Sequence, residues 1–182
     1  MTTDTKTYEV GTALVLALFE CGFSINGLLD SKFNHTMYRV QNPEASLKFY
    51  TELLGMSLIC KLDFAEAKFS LYFLGYNVPA QILAASQDEK RKYAFSRPGV
   101  LELTHNWEHD ESFKGYCSGN EDAHKGYGHI GLTVDDVEAA VERLDKAGVK
   151  IQKRPNSGKM SSIAFVLDPD GYWIELLPRG YN

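Results

Sequence analysis

The chain has 182 residues, 44% of them hydrophobic and 24% charged, with a net charge of −5. This is the profile of one ordinary globular domain or two small ones, and it excludes a disordered chain. Nothing forms a basic field of the kind nucleic acid requires, whereas a small anionic ligand stays open because local Lys and Arg placement decides it.

In chain order, the first feature is the apolar run Ala13–Phe19, ALVLALF. It is far short of the roughly 20 apolar residues of a membrane span. It also lacks the basic flank of a secretory signal. Residues 1–32 therefore read as an N-terminal arm that packs on the body or on a partner subunit, with no membrane role. Cys21, Cys60 and Cys117 are odd in number, widely spaced and form no CxxC. They fit free thiols in a reducing, cytoplasmic compartment rather than a disulfide framework.

From His35 the chain alternates as a strand, His-Thr-Met-Tyr-Arg-Val, then breaks at Gln41-Asn42-Pro43. Leu47, Tyr50 and Leu54 recur at helical spacing, with Pro43 in the first turn and Gly55 at the C-cap. Strands follow around Met56–Ile59, over Lys68–Tyr76 and over Val100–Asn106. Asn77–Gly99 is a polar connection with a short helix at Glu89–Tyr93, and Glu108–Gly126 is a second polar connection. A new alternating run, His-Ile-Gly-Leu-Thr-Val, then opens at His129. Val137, Val141 and Leu144 mark a helix that ends near Gly148. Strands are expected around Val149–Ile151, over Ser162–Leu167 and over Tyr172–Leu177, the last two joined by the turn Asp168-Pro169-Asp170-Gly171.

The two halves repeat one pattern. Placing His35 on His129 puts Val40 on Val134, Glu44 on Glu138 and Ala45 on Ala139. Leu101-Glu102-Leu103 likewise answers Ile174-Glu175-Leu176. The fold class is α+β: two tandem βαβββ modules, about 33–107 and 127–178, forming a 33–178 domain with a curved sheet around a metal site. One such module buries too little surface to be secure alone, and two closing on a shared cleft solve that.

Each module brings its first and last strands together. Strand alternation sets Glu102 and Glu175 opposite their apolar flanks. Duplication thus delivers His35, Glu102, His129 and Glu175 to one concave site, and two imidazoles with two carboxylates suit a divalent transition metal. His105 and His124 read as structural or supporting residues, and His109, in the acidic run His-Asp-Glu, as solvent-exposed. Gly126-Tyr127-Gly128 opens no helix and is not a phosphate cradle.

The stretches NHTMYRV (34–40), SLKFYTELLGM (46–56), KFSLYFL (68–74), LELTHNW (101–107), GYGHIG (126–131) and DPDGYWIE (168–175) resemble glyoxalase I, lactoylglutathione lyase, of the vicinal oxygen chelate superfamily. The resemblance covers about residues 33–178 and implies a homodimer with active sites at the subunit interface. It places the metal ligands on the same four residues. The metal it implies is one zinc per site, with nickel or cobalt as alternatives, since family members with a histidine at position 35 include nickel-preferring ones. It implies glutathione as co-substrate, bound by Arg39, Asn106, Lys125, Lys153 and Arg154. Lys125 stands where animal enzymes commonly have Arg, keeping the charge without the bidentate fork. The apolar pocket falls on Leu62, Phe64, Leu71, Phe73, Met160 and Phe165.

The expected reaction is isomerisation of the methylglyoxal–glutathione hemithioacetal to S-D-lactoylglutathione through an enediolate, a detoxification of methylglyoxal. Glu175 is the expected base, with Glu102 assisting. The alternatives are another metal-dependent enzyme of the superfamily, an extradiol dioxygenase or epimerase, or a metal-free binding module.

Overall fold

The structure, a computed structural model, describes residues 31–157 and 160–180. The chain divides into two units, Met1–Phe33 and Asn34–Asn182, and the fold below is that of the second. Except for its last two residues, the arm expected over residues 1–32 lies outside the described residues, as does Cys21. Among the described residues no helix is long and apolar enough to cross a membrane.

The first module runs β1 (His35–Arg39), α1 (Pro43–Lys48), β2 (Ser57–Phe64), β3 (Phe69–Gly75), α2 (Ala80–Leu83), α3 (Gln87–Ser96) and β4 (Val100–Asn106). A small hairpin, β5 (Asn120–Glu121) and β6 (His124–Lys125), precedes the second module. That module runs β7 (His129–Val134), α4 (Val137–Lys146), β8 (Ile151–Lys153), β9 (Ala164–Leu167) and β10 (Trp173–Pro178). The two sheets have the same order, β1-β4-β3-β2 and β7-β10-β9-β8. In each, the first strand pairs in parallel with the last, and the other neighbours are antiparallel.

The local sequence accounts for the boundaries. Asn42 caps α1 by accepting from the Ala45 amide at 3.1 Å, and Asp136 caps α4 the same way at 2.9 Å from Ala139. Gly55 and Gly148 adopt φ of +75° and +83°, the left-handed conformation that ends a helix at low cost for glycine. After Lys48 the first helix continues as a π-helical turn, Phe49–Leu53, which departs from the regular helix expected there. The connecting helix is longer than the expected Glu89–Tyr93, because Ser86 and Glu89 close a capping box at its start. The Asn120–Lys125 hairpin was expected as plain connection. Strand β2 extends past Ile59 to Phe64, and β8 begins at Ile151 rather than Val149.

One hydrophobic cluster spans both modules. It takes Tyr38, Tyr50, Leu74, Leu101 and Leu103 from the first, and Val141, Leu144, Ala164, Val166, Ile174 and Leu176 from the second. Each fully buried aliphatic side chain contributes about 1.5–3 kcal/mol through removal from water. Tyr38 stacks on Tyr172 with ring centroids 4.3 Å apart, and Tyr50 donates to the Asp168 carboxylate at 2.8 Å. Tyr172 in turn donates to the Arg39 carbonyl at 3.2 Å. Because this core takes one face of each sheet, strand alternation leaves Glu102 and Glu175 on the opposite faces.

Candidate metal centre

In the first sheet the register collects the expected site residues on one face. Met37 lies opposite Glu102, which lies opposite Phe73, which lies opposite Cys60. The next row is Arg39, Thr104, Leu71 and Leu62, and beyond it come Asn106, Phe69 and Phe64. Residues at paired positions share a face, and so do residues two apart along a strand. His35, Arg39, Leu62, Phe64, Leu71, Phe73, Glu102 and Asn106 therefore all stand on one side, every first-module residue in the expected site. The second sheet does the same with His129, Glu175, Phe165 and Lys153, where Glu175 lies opposite Gly131 and Phe165.

On each face the histidine meets the glutamate. His35 Nε2 lies 3.3 Å from a Glu102 carboxylate oxygen, and His129 Nε2 lies 3.3 Å from Glu175. Zinc-group ions hold N and O ligands at about 2.0–2.2 Å, which sets adjacent ligands roughly 3.0–3.5 Å apart. Each pair therefore has the spacing of two neighbouring ligands on one ion. Two donors do not complete a site, however. Among the described residues no group of three or more His, Cys, Asp or Glu side chains could hold a metal. The sequence pattern alone leaves open whether the four residues meet within one chain or between two; among the described residues the fold yields two His–Glu pairs. The intramolecular core explains this division, since the modules pack through the faces opposite these residues.

The half-sites differ in support. His35 Nδ1 donates to Asn34 Oδ1 at 2.8 Å, and Thr104 Oγ1 donates to Glu102 at 3.3 Å. Phe73 and Phe95 flank the His35 ring edge-on. His129 meets Phe165 at a ring-centroid distance of 5.2 Å. Among the described residues the His129 ring is the only polar side chain in contact with Glu175. The Glu102 and Glu175 side chains are only 12% and 19% exposed, so each is a largely desolvated carboxylate for which a cation would remove the cost.

The remaining expected residues are placed as follows. Asn106 donates to the Tyr116 hydroxyl at 3.2 Å. Lys153 is held by the carbonyls of Met160 at 2.6 Å and Ile163 at 2.9 Å, so its ammonium anchors the loop carrying Met160. Arg154 pairs with Asp145 at 2.5 Å, and Lys125 with Asp122 at 3.3 Å, both exposed. Phe165 and Phe73 are buried, whereas Phe64 and Met160 are exposed. His105 lies on the face away from Glu102, where burial holds its imidazole below the usual value. His109 stacks on Phe113. Asn34, Thr104 and Tyr116 were not singled out from the sequence. The one available signal was an asparagine directly before the first histidine.

A duplicated βαβββ fold with a His–Glu pair on each sheet defines a metal-handling enzyme scaffold. The chain belongs to the Glyoxalase/Bleomycin resistance protein/Dioxygenase superfamily, whose family model matches residues 32–176. Its two modules form curved sheets rather than a closed barrel. Within that superfamily it groups with glyoxalase I. It is 52% identical to the lactoylglutathione lyase of Pseudomonas putida, over 80% of this chain and 83% of that one. It is 46% identical to the lactoylglutathione lyase of Pseudomonas aeruginosa, over 82% and 84%. Among solved structures, the trypanothione-dependent glyoxalase I of Leishmania major matches with a TM-score of 0.56 and 36% identity, over 82% and 87%. Glyoxalase I from Zea mays matches with a TM-score of 0.59 and 31% identity, over 81% of this chain and 44% of that one.

Proposed function

We propose that the chain is a lactoylglutathione lyase, isomerising the methylglyoxal–glutathione hemithioacetal to S-D-lactoylglutathione. The observation that carries the reading is the pair of matching His–Glu half-sites, each at 3.3 Å and each incomplete alone. Two copies supply the full set: His35 and Glu102 from one subunit with His129 and Glu175 from the other. The exposed Met37, Phe64, Phe95 and Met160 support the same assembly. The proposed metal is zinc, with nickel or cobalt as alternatives for a two-imidazole, two-carboxylate set. When bound, it supplies Lewis acidity toward the substrate oxygens.

The protein residues perform the proton transfer. Glu175, whose only polar contact among the described residues is the His129 ring, takes the proton from C1 of the hemithioacetal. The C–H electron pair becomes the C1–C2 double bond of the enediolate. Glu175 then returns the proton to C2, while the C1 hydroxyl proton passes to the C2 oxygen, leaving the thioester carbonyl at C1. Glu102, fixed by Thr104, keeps its ligand position more firmly and handles the opposite epimer. Arg39 and Asn106 take the glutathione carboxylate, with Lys125, Lys153 and Arg154 as further cationic contacts. Leu62, Phe64, Leu71, Phe73, Met160 and Phe165 enclose the methylglyoxal-derived part. The free thiols Cys60 and Cys117 fit the proposed cytoplasmic setting.

The test is thioester formation from methylglyoxal and glutathione by protein stripped with a chelator and reloaded with single metals. The expected result is loss on stripping and recovery with at least one of zinc, nickel or cobalt. No thioester with any metal would refute the assignment.

A further inference from the structure

The first half-site begins with a residue whose amide is committed on both sides. Asn34 Nδ2 donates to the carbonyl of Ala94 at 2.9 Å and to that of Arg97 at 2.6 Å. Carbonyl oxygens only accept, so the nitrogen of this amide must face α3 and its oxygen must face His35. That oxygen lies 2.8 Å from His35 Nδ1. An amide oxygen also only accepts, so a neutral His35 must carry its hydrogen on Nδ1. Nε2, the atom 3.3 Å from Glu102, is then the nitrogen with a free lone pair. The Asn34 backbone is fixed as well, its carbonyl accepting from the Val100 amide at 2.9 Å.

We infer that Asn34 is a positioning residue: it sets the tautomer and ring orientation of His35 so that Nε2 is presented to a metal before the metal arrives. The inference rests on the proposed role of His35 as a ligand. A partner on the non-ligating nitrogen raises ligand basicity and removes the need to reorient the ring on binding, and losing such a partner typically costs about 10–100-fold in metal affinity. The device is confined to one module. Asn34 reaches α3, and the second module has a four-residue turn, Asp168–Gly171, between β9 and β10 where the first has α2 and α3. The residue before His129 is Gly128, which has no side chain to play the part.

The experiment uses the full-length apo protein labelled with 15N-histidine and long-range 1H–15N correlation spectra above pH 8, with zinc affinity measured by competition against a chromophoric chelator. Wild type should show His35 as the Nδ1–H tautomer. Asn34→Ala should shift it toward Nε2–H or a mixture and weaken zinc binding by about 10–100-fold. Asn34→Asp keeps an oxygen acceptor while losing both donors to α3, and should recover the Nδ1–H tautomer and most of the affinity. If Asn34→Ala keeps the wild-type tautomer, or keeps wild-type affinity, the inference is wrong. It is also wrong if Asn34→Asp is as impaired as Asn34→Ala, because the defect would then lie in the anchoring to α3. His35→Ala separates the underlying reading: undiminished zinc affinity there would remove His35 from the ligand set, whatever the tautomer result.

Discussion

At the scale of single residues, the two carboxylates are chemically alike and differ in restraint. Glu102 accepts from Thr104, while the His129 ring is the only polar contact of Glu175 among the described residues. A base must leave its resting contact to reach the substrate proton, so the less restrained carboxylate is the better candidate. Glu175→Gln should lower kcat by about 10²–10⁴-fold, the usual worth of a positioned base. Bound metal should be largely retained, because the amide oxygen can still coordinate. Glu102→Gln should cost less. Initial rates with metal content measured on the same samples decide the order, and equal losses would show that the two act interchangeably. On the proposed reading Arg39 belongs to binding rather than chemistry. Its side chain shares the Glu102 face two residues beyond Met37, in the row of Leu71 and Leu62. Removing a charged contact of about 1.5–3 kcal/mol predicts that Arg39→Ala raises KM by roughly 10–100-fold. With kcat left nearly intact, steady-state kinetics would give this split; a fall confined to kcat would place Arg39 in the reaction instead.

At the scale of elements, the β9–β10 turn is the clamp between modules. Asp168 is buried, accepting from the amides of Asp170 at 2.9 Å and Tyr172 at 2.8 Å as well as from Tyr50. Burial pushes its carboxyl up to about 6 despite those three donors, with Asp170 adding a like charge. A raised carboxyl means that the folded state holds a proton the unfolded chain has released. Its stabilising effect is complete below about pH 4 and is lost as pH rises through about 6. Asp168→Asn should remove that component, so the stability difference between variant and wild type should shift in the variant's favour by on the order of 2–3 kcal/mol between pH 4 and 7. Denaturant titrations across that range, on metal-free protein, measure it. A difference that stays constant with pH would mean that Asp168 remains ionised throughout.

The elements also show where sequence reading reaches. Strand β4 coincides with the alternation of Val100–Asn106, and the turn at Asp168 with its Asp-Pro-Asp-Gly signature, because both signals are local. The β5–β6 hairpin was hidden. Its two-residue strands carry no periodicity and are held by side-chain bonds, Glu121 accepting from the amides of Ser118 and Gly119 and Asn120 donating to Gly128. The π-helical turn leaves the apolar spacing of Leu47, Tyr50 and Leu54 nearly unchanged, so the pattern could not announce it. The two His–Glu pairs were legible because each half of the sequence carries one histidine and one glutamate in register. Whether the pairs meet within one chain or between two was not, since that depends on which face of each sheet packs into the shared core, and apolar residues flank both glutamates alike.

At the scale of the whole molecule, that division makes the assembly testable without a structure of it. One variant loses the first half-site through His35→Ala with Glu102→Gln. Another loses the second through His129→Ala with Glu175→Gln. Each alone should be inactive whether sites form within or between chains. Unfolded together and refolded as a mixture, they give different outcomes. If a site joins the first half of one chain to the second half of another, a mixed dimer holds one site with all four native residues and one with none. Random pairing in a closed two-fold dimer makes about half of the dimers mixed, so the mixture should recover roughly one quarter of wild-type activity. It should also bind metal at the same fraction of wild-type sites. Sites formed within one chain would recover nothing, because every chain in the mixture lacks half of its own set. The recovered fraction thus depends on connectivity alone, independently of which metal is bound or which glutamate is the base.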